Sequence, residues 1–171
     1  MTGPTFSIRA ATTADTTALL LIYAPIVEKT AVSFESETPG IAEFARRIAA
    51  ALRHHAWLVA EDANGIAGYA YGGPHRQRFG YRYSVETSVY VAEAARGGGI
   101  GRALYRALLD ELGRRGYRQA YAGITLPNDA SEALHAAAGF TRIGVFPNVG
   151  HKFGRWQDVA WWHLELPQPD P

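Results

Sequence analysis

The stretch from Ser84 to Leu109 constrains this chain more than any other, because a strand, a glycine-rich turn and a helix follow one another within it. Val85, Thr87, Val89 and Val91 alternate with Ser84, Glu86, Ser88 and Tyr90, the period of a β-strand with two unlike faces. Leu104, Leu108 and Leu112 then recur at helical spacing. Between them lies Arg96-Gly97-Gly98-Gly99-Ile100-Gly101-Arg102. Glycines there let backbone N–H groups converge without side-chain obstruction. The helix start adds unpaired N–H groups and a partial positive charge. Such a turn suits a phosphate group, although the same composition also serves a plain tight connection.

Spacing separates the phosphate ligands. A dinucleotide turn wants G-x-G-x-x-G, but Leu104 holds the last position after Gly99-x-Gly101, and Arg102 after Gly97-x-Gly99. A P-loop wants Lys and then Ser or Thr after its last glycine, where this chain has Arg102 and Ala103. The pattern that fits is R/Q-x-x-G-x-G/A, through Arg96, Gly99 and Gly101. It resembles the acyl-CoA pyrophosphate loop of the GNAT N-acetyltransferase superfamily.

Composition removes several alternatives. The 171 residues suit one domain, with 167–171 (Pro-Gln-Pro-Asp-Pro) expected as a frayed tail. Apolar content of 47% supports a full core, and a net charge of +1 argues against a nucleic-acid binder driven by bulk charge. Cysteine is absent, which rules out disulfides and Cys-ligated zinc and is compatible with a reducing cytoplasm. No apolar run approaches the ~20 residues of a membrane span, and no signal peptide or membrane partner is expected.

In chain order, Phe6 to Ala10 reads as a strand, and Thr13-Ala14-Asp15 opens a helix with Leu19, Ile22, Tyr23, Ile26 and Val27 on its apolar face. Thr38-Pro39 reads as an N-cap and first helical position for a helix bearing Ile41, Phe44, Ile48 and Leu52. Trp57 to Glu61 and Ile66 to Tyr71 read as strands joined at Asn64-Gly65. Gly72 to Arg82 is a polar loop, and Gly116 ends the central helix. Arg118 to Thr125 is a strand, and Asp129-x-x-Glu132 starts a helix that Gly139 closes. Phe140 to Phe146 and Asp158 to Leu166 are the closing strands. This order predicts an α+β (mixed α/β) fold, with a central mixed sheet flanked by helices.

It is also the element order of the GNAT fold, whose sheet is mostly antiparallel, and the resemblance covers nearly the whole chain. At finer grain the chain resembles the phosphinothricin and methionine sulfone/sulfoximine acetyltransferase branch. That likeness rests on A-V-S-F at Ala31 to Phe34, W-L-V-A-E at Trp57 to Glu61, and V-E-T-S-V-Y-V at Val85 to Val91. L-P-N-D at Leu126 to Asp129 and H-K-F-G-R-W-Q-D-V at His151 to Val159 add to it. The resemblance implies an acetyl-CoA-dependent N-acetyltransferase of a small amino-acid-like amine of the phosphinothricin or methionine sulfoximine type; the alternatives are acetylation of another amine, an amino acid or a protein N-terminus, and a CoA-binding module without catalysis. It also implies a homodimer, with His151 to Trp156 near the shared surface.

Acetyl transfer to an amine requires that the thioester be held, its carbonyl polarised, the ammonium deprotonated and the thiolate accommodated. Gly97, Gly98, Gly99, Ile100, Gly101 and Arg102, with Arg96, would grip the pyrophosphate. By resemblance, Val89, Tyr90 and Val91 offer backbone groups to the pantetheine arm, and Asn128 bonds it too. Asn128 also reads as a turn residue beside an N-cap at Asp129. Glu86 stands on either a solvated face or a site. In the site reading it is the general base for an amine that arrives protonated, with a pKa near that of lysine, about 10.4. A partly buried glutamate is the better base. His135 stands where many GNAT enzymes carry a tyrosine thought to protonate the leaving thiolate. It assists proton transfer, lines the site, or is structural.

His75, Arg76, Arg78, Phe79, Tyr81 and Arg82 make a basic, aromatic loop just upstream of Glu86. Arginine forks suit carboxylates and phosphinates, though such a run also merely solvates a loop. By resemblance, Arg76, Arg78 and Tyr81 match substrate-binding positions and Phe34 an aromatic lining residue, with Phe79 and Thr87 beside them. If the loop is extended, Arg76 and Arg78 point the same way. The histidines show no metal-ligand spacing, so no metal is expected.

Overall fold

The computed structural model describes residues 6–167; most of the expected tail, 168–171, lies outside them. The strands are β1 (Ser7–Ala10), β2 (Trp57–Asp62), β3 (Gly65–Pro74), β4 (Ser84–Val91), β5 (Gln119–Thr125), β6 (Thr141–Lys152) and β7 (Arg155–Glu165). The helices are α1 (Thr16–Lys29), α2 (Ile41–His54), α3 (Ile100–Arg114) and α4 (Asp129–Ala137). The order along the chain is the expected one.

The strands form one sheet in the order β1-β2-β3-β4-β5-β7-β6. Every neighbouring pair is antiparallel except β4 with β5. Helices cover both faces because the strands are apolar on both. On one face α1 and α2 bury Leu19, Tyr23, Val27, Phe44 and Ile48 against Trp57, Val59 and Tyr69. On the other, α3 buries Leu104, Tyr105, Leu108 and Leu112 against Ala70, Val85, Ala120 and Ala122. Leu104, Leu108 and Leu112 are fully buried, each contributing roughly 1.5–3 kcal/mol. Gly72 permits this approach, since a Cβ there would stand 3.0 Å from both Leu112 and Val85.

Local chemistry shifts some boundaries from those expected. The N-cap of α2 is Gly40, whose carbonyl accepts Phe44 N at 3.0 Å. Thr38 instead donates its hydroxyl to Glu28 at 2.9 Å, so it holds the loop to α1 and caps nothing. The N-cap of α4 is Asn128, not Asp129: Asn128 Oδ1 accepts Ser131 N at 3.1 Å. β3 runs on to Pro74, which shortens the polar loop.

The closing strands extend far beyond the expected ends into one long hairpin. It turns at Phe153-Gly154, where φ is 52° and 71°, the two-residue turn with positive φ that suits twisted antiparallel strands. Lys152 anchors this hairpin. It is 8% exposed, and its Nζ donates to Val27 O and Ser33 O, each at 2.6 Å. One acceptor belongs to the last turn of α1, where a cation is favoured. Hairpin, α1 and the loop after α1 are thereby held together.

Candidate active site

β4 and β5 pair at Ser84↔Gln119, Val85↔Ala120 and Glu86↔Tyr121, and no further. Beyond Glu86 the two strands part, leaving one edge of β4 open from Thr87 to Val91. Backbone parity decides what this edge offers. Ala92 N donates to Ala67 O at 2.9 Å. With the register Gly68↔Val91 through Pro74↔Val85, the peptide groups of Glu86, Ser88 and Tyr90 therefore face β3. Those of Thr87, Val89 and Val91 face the gap. The backbone of Val89 and the N–H of Val91 are thus open to an extended ligand. Tyr90 is paired with Tyr69, and its ring packs against Tyr23 and Tyr69 at centroid distances of 5.3 Å.

The glycine loop stands at the end of this gap. Gly97 and Gly99 have φ of 81° and 79°, a conformation costly for other residues. Gly99 is the N-cap of α3, and its carbonyl accepts Ala103 N at 3.0 Å. Among the described residues the N–H groups from Gly97 to Arg102 have no acceptor. They are the donors a pyrophosphate requires. Gly98 and Ile100 complete the turn, Gly98 exposed and Ile100 buried. Arg96 and Arg102 are exposed and unpaired with any carboxylate among the described residues, and Arg96 Nε reaches back to Val91 O at 3.4 Å. Gly101 is different: a Cβ there would touch Leu134 at 3.4 Å and Val91 at 3.5 Å. Its smallness lets α3 pack on β4 and α4.

A cavity of about 60 Å³ fills the parting of the strands, lined by Thr87, Ser88, Tyr105, Asn128 and His135 among others. Asn128 therefore both caps α4 and lines this gap. His135 is buried, with Nδ1 2.7 Å from Ser131 O and Nε2 2.7 Å from the Tyr105 hydroxyl. A carbonyl only accepts, so Nδ1 carries the hydrogen and Nε2 of the neutral ring accepts the Tyr105 O–H. Tyr105 in turn lies 3.2 Å from Thr87 Oγ1. Burial pushes the Tyr105 hydroxyl well up and the His135 imidazolium down. His135 thus meets the gap beside Tyr105, whose hydroxyl it holds.

The lowered His135 pKa has a consequence for stability. Below about pH 6.5 the unfolded chain takes up this proton before the folded one does. Folded stability contributed at this site is therefore lost as pH falls from there toward the lowered value. We expect His135→Gln, which cannot charge, to lose less stability than the wild type between about pH 7.5 and about pH 5.5. Chemical denaturation at both values checks it; an unchanged gap between the two proteins is the contrary result.

On the opposite face of the sheet stands Glu86. Its side chain is 37% exposed, and Oε1 lies 2.8 Å from His75 Nδ1. His75 is stacked on Tyr121, with centroids 4.6 Å and planes 21° apart, and Tyr81 meets its edge at 5.7 Å. Glu86 is thus oriented by an imidazole that is itself held by two aromatic rings. Arg76 and Arg78 are exposed and without ion pairs among the described residues, but the chain bends between them and enters a 3-10 turn at Phe79–Tyr81. The extended alternation expected of the two arginines does not hold. Phe79 points outward beneath Arg82, whose guanidinium carbon is 4.1 Å from the ring centre. Phe34 lies against Gly150, where a Cβ would stand 2.3 Å from the ring, so the long hairpin backs this aromatic.

The structure therefore gathers Thr87, Asn128 and His135 at the gap, and Glu86 with Tyr81 on the other side of it. Sequence reasoning missed His75 as the partner of Glu86 and Tyr105 as the partner of His135. A tyrosine inside a leucine-rich helix face is one signal for the second, since a buried hydroxyl needs a partner. Among the described residues no three His, Cys, Asp or Glu side chains gather as a metal site, and no helix is long and apolar enough to cross a membrane.

Residues 8–161 match the family model described as an acetyltransferase (GNAT) domain. The chain is 37% identical over 164 residues to a phosphinothricin N-acetyltransferase of Streptomyces viridochromogenes, covering 96% of this chain and 90% of that protein. It is 40% identical over 161 residues to an L-methionine sulfoximine/L-methionine sulfone acetyltransferase of Salmonella typhimurium, covering 94% of each. Among solved structures, a GNAT superfamily phosphinothricin acetyltransferase from Sinorhizobium meliloti in complex with acetyl-CoA superposes with a TM-score of 0.90. It is 36% identical, and the match covers 95% of this chain and 89% of that one.

Proposed function

The chain belongs to the GNAT acetyltransferase family, and within it we propose an acetyl-CoA-dependent N-acetyltransferase acting on small amino-acid-like amines of the phosphinothricin or methionine sulfoximine type. The observation that carries this reading is the parting of β4 and β5 after Glu86, which joins a phosphate-binding loop on one side to a carboxylate on the other. The unpartnered N–H groups of Gly97 to Arg102 bind the pyrophosphate, and the open backbone of Val89 and the N–H of Val91 align the pantetheine arm. When bound, acetyl-CoA supplies the thioester that is attacked. Backbone N–H groups facing the gap polarise its carbonyl. Glu86, oriented by His75, takes a proton from the ammonium so that the nitrogen lone pair can form the new C–N bond as the C–S bond breaks. Thr87 presents its hydroxyl where the thiolate departs, while the Tyr105 O–H is committed to His135 Nε2 and its oxygen faces Thr87. Arg76, Arg78 and Tyr81 bind the acceptor's anionic groups, and Phe34 covers its apolar stem.

The test is thiol release from acetyl-CoA by the purified chain with phosphinothricin, methionine sulfoximine and methionine sulfone as acceptors. Release above the acceptor-free rate with at least one of them supports the reading. Release with none of them, while acetyl-CoA binds normally, rejects the substrate assignment.

A homodimer in the cytoplasm is part of the same proposal. β6 is an edge of the sheet and carries exposed Ile143, Phe146 and Val149, with Phe153 and Trp156 at the hairpin tip. Apolar residues along an unpaired edge suit a second copy. We expect light scattering at micromolar concentration to give twice the chain mass of 18.6 kDa; a monomer is the contrary result.

A further inference from the structure

A second cavity, lined by none of the residues given a role in the proposed reaction, opens on the same face of the sheet as Glu86. Its volume is about 370 Å³, within the range of small-molecule pockets. Its walls are aromatic. Trp57 and Tyr71 are stacked with centroids 4.3 Å and planes 13° apart, and Phe44 meets the edge of Trp57 at 5.6 Å. Ala50 and Ala51 of α2 close it from above. Gly73 is its wall toward the active site. That residue sits directly across from Glu86 in the β3–β4 register, so the two share a face, as Tyr71 and Ser88 do. No heavy atom lies within 4 Å of where a Gly73 Cβ would stand, so the missing side chain is part of the open space. The one charged side chain at the mouth besides histidines, Arg47, is paired with Glu35 and Glu43. An anionic group entering the slot would meet rings and a cation already neutralised.

We propose that this cavity receives a bulky apolar side chain, aryl or branched alkyl, of an α-amino acid acceptor whose amine is at Glu86. This rests on the N-acetyltransferase reading above and narrows its substrate class. The three groups on an α-carbon diverge, and the protein offers three matching directions. Glu86 meets the amine. The arginine loop, which leaves β3 immediately after Pro74 in the cavity wall, meets the carboxylate. The aromatic slot takes the side chain. A second anionic group, as in a phosphinate, has no counterpart in that slot.

The experiment compares kcat/KM for L-phenylalanine, L-leucine and L-alanine in the wild type and in Gly73→Val. The new side chain fills the slot at a position that is not in the left-handed region. In the wild type, phenylalanine should exceed alanine by on the order of 10-fold or more, the usual worth of filling an apolar pocket. In Gly73→Val that ratio should collapse toward one. Ala50→Leu, which enters the slot from the exposed side of α2, is an independent second variant should the first fail to fold. Binding of L-phenylalanine, followed by tryptophan fluorescence, separates the two readings. Binding that is lost in the variants upholds the slot even if no acceptor is acetylated, a result that would count against the acetyltransferase reading alone. A wild type indifferent to side-chain size, or variants that leave the ratio and the binding unchanged, overturns the proposal.

Discussion

Glu86→Gln should lower kcat by roughly 10²–10⁴, the customary contribution of a positioned general base, while leaving acetyl-CoA affinity within about twofold. The substitution keeps the shape of the side chain and its contact with His75 Nδ1, at 2.8 Å in the native protein. It removes only the capacity to take a proton. Acetyl-CoA lies beyond Glu86 in this reading, held by a loop and a strand edge that the side chain does not touch, so calorimetric titration of acetyl-CoA provides the control. The most informative readout is the pH–rate profile. If Glu86 is the base, its acidic limb disappears in the variant, and the residual rate depends on the free-amine fraction of the acceptor. A variant with the wild-type rate and profile would remove Glu86 from the mechanism and leave His75 without an evident purpose.

Gly99→Val should raise the dissociation constant for acetyl-CoA by on the order of 10²-fold. Hydrogen bonds to a charged group are worth about 1.5–3 kcal/mol each, and the altered turn withdraws at least one or two of them. Valine is a poor occupant of φ 79°, so the turn must change for the chain to accept it. The N–H groups ahead of α3 then cease to converge. The site around a Gly99 Cβ is empty, so no packing is broken and any loss of thermal stability comes from backbone strain at the positive φ alone. Gly101→Val offers the contrast. Its side chain would press on Leu134 and Val91, so it should lower thermal stability as well as affinity. Titration calorimetry with thermal melting distinguishes the two; equal affinity in Gly99→Val and the wild type would reject the loop as the pyrophosphate site.

Much of this architecture is visible in the sequence because the helices have one buried and one open face and the two faces of β4 carry unlike residues. The stripe Leu104, Leu108, Leu112 announces α3, and the alternation from Ser84 to Val91 announces β4 with the right residues on each side. The glycine loop is legible for a related reason, since positive φ at Gly97 and Gly99 leaves a compositional mark. The closing strands are legible at 140–146 and 158–166, but their extension into the long hairpin hides because residues 147–149 and 153–156 are exposed, so neither face carries a repeating apolar signal there. The two hydrogen-bonded pairs at the site hide for another reason. Tyr105 and His135 are 30 residues apart, and their meeting depends on how α3 and α4 pack on the sheet. His75 reaches Glu86 only because β3 continues to Pro74 in a register that local periodicity does not specify. The caps moved for a smaller reason: several residues near each helix start are able to cap, and tertiary partners such as Glu28 for Thr38 choose among them.

Strand β4 divides its duties residue by residue. Glu86 and Ser88 face the side where Trp57 and Tyr71 stand, while Thr87, Val89 and Val91 turn toward α3 and the opened edge. The sheet acts as a partition with a single window, at which two chemically unrelated visitors meet without sharing a corridor. Drift in the side chains on one side can retune which acceptor is admitted, because none of those side chains touches the grip on the donor. A single-residue insertion before Glu86 would do the reverse. It would exchange the two sides of the partition along the whole strand and abolish both recognitions at once.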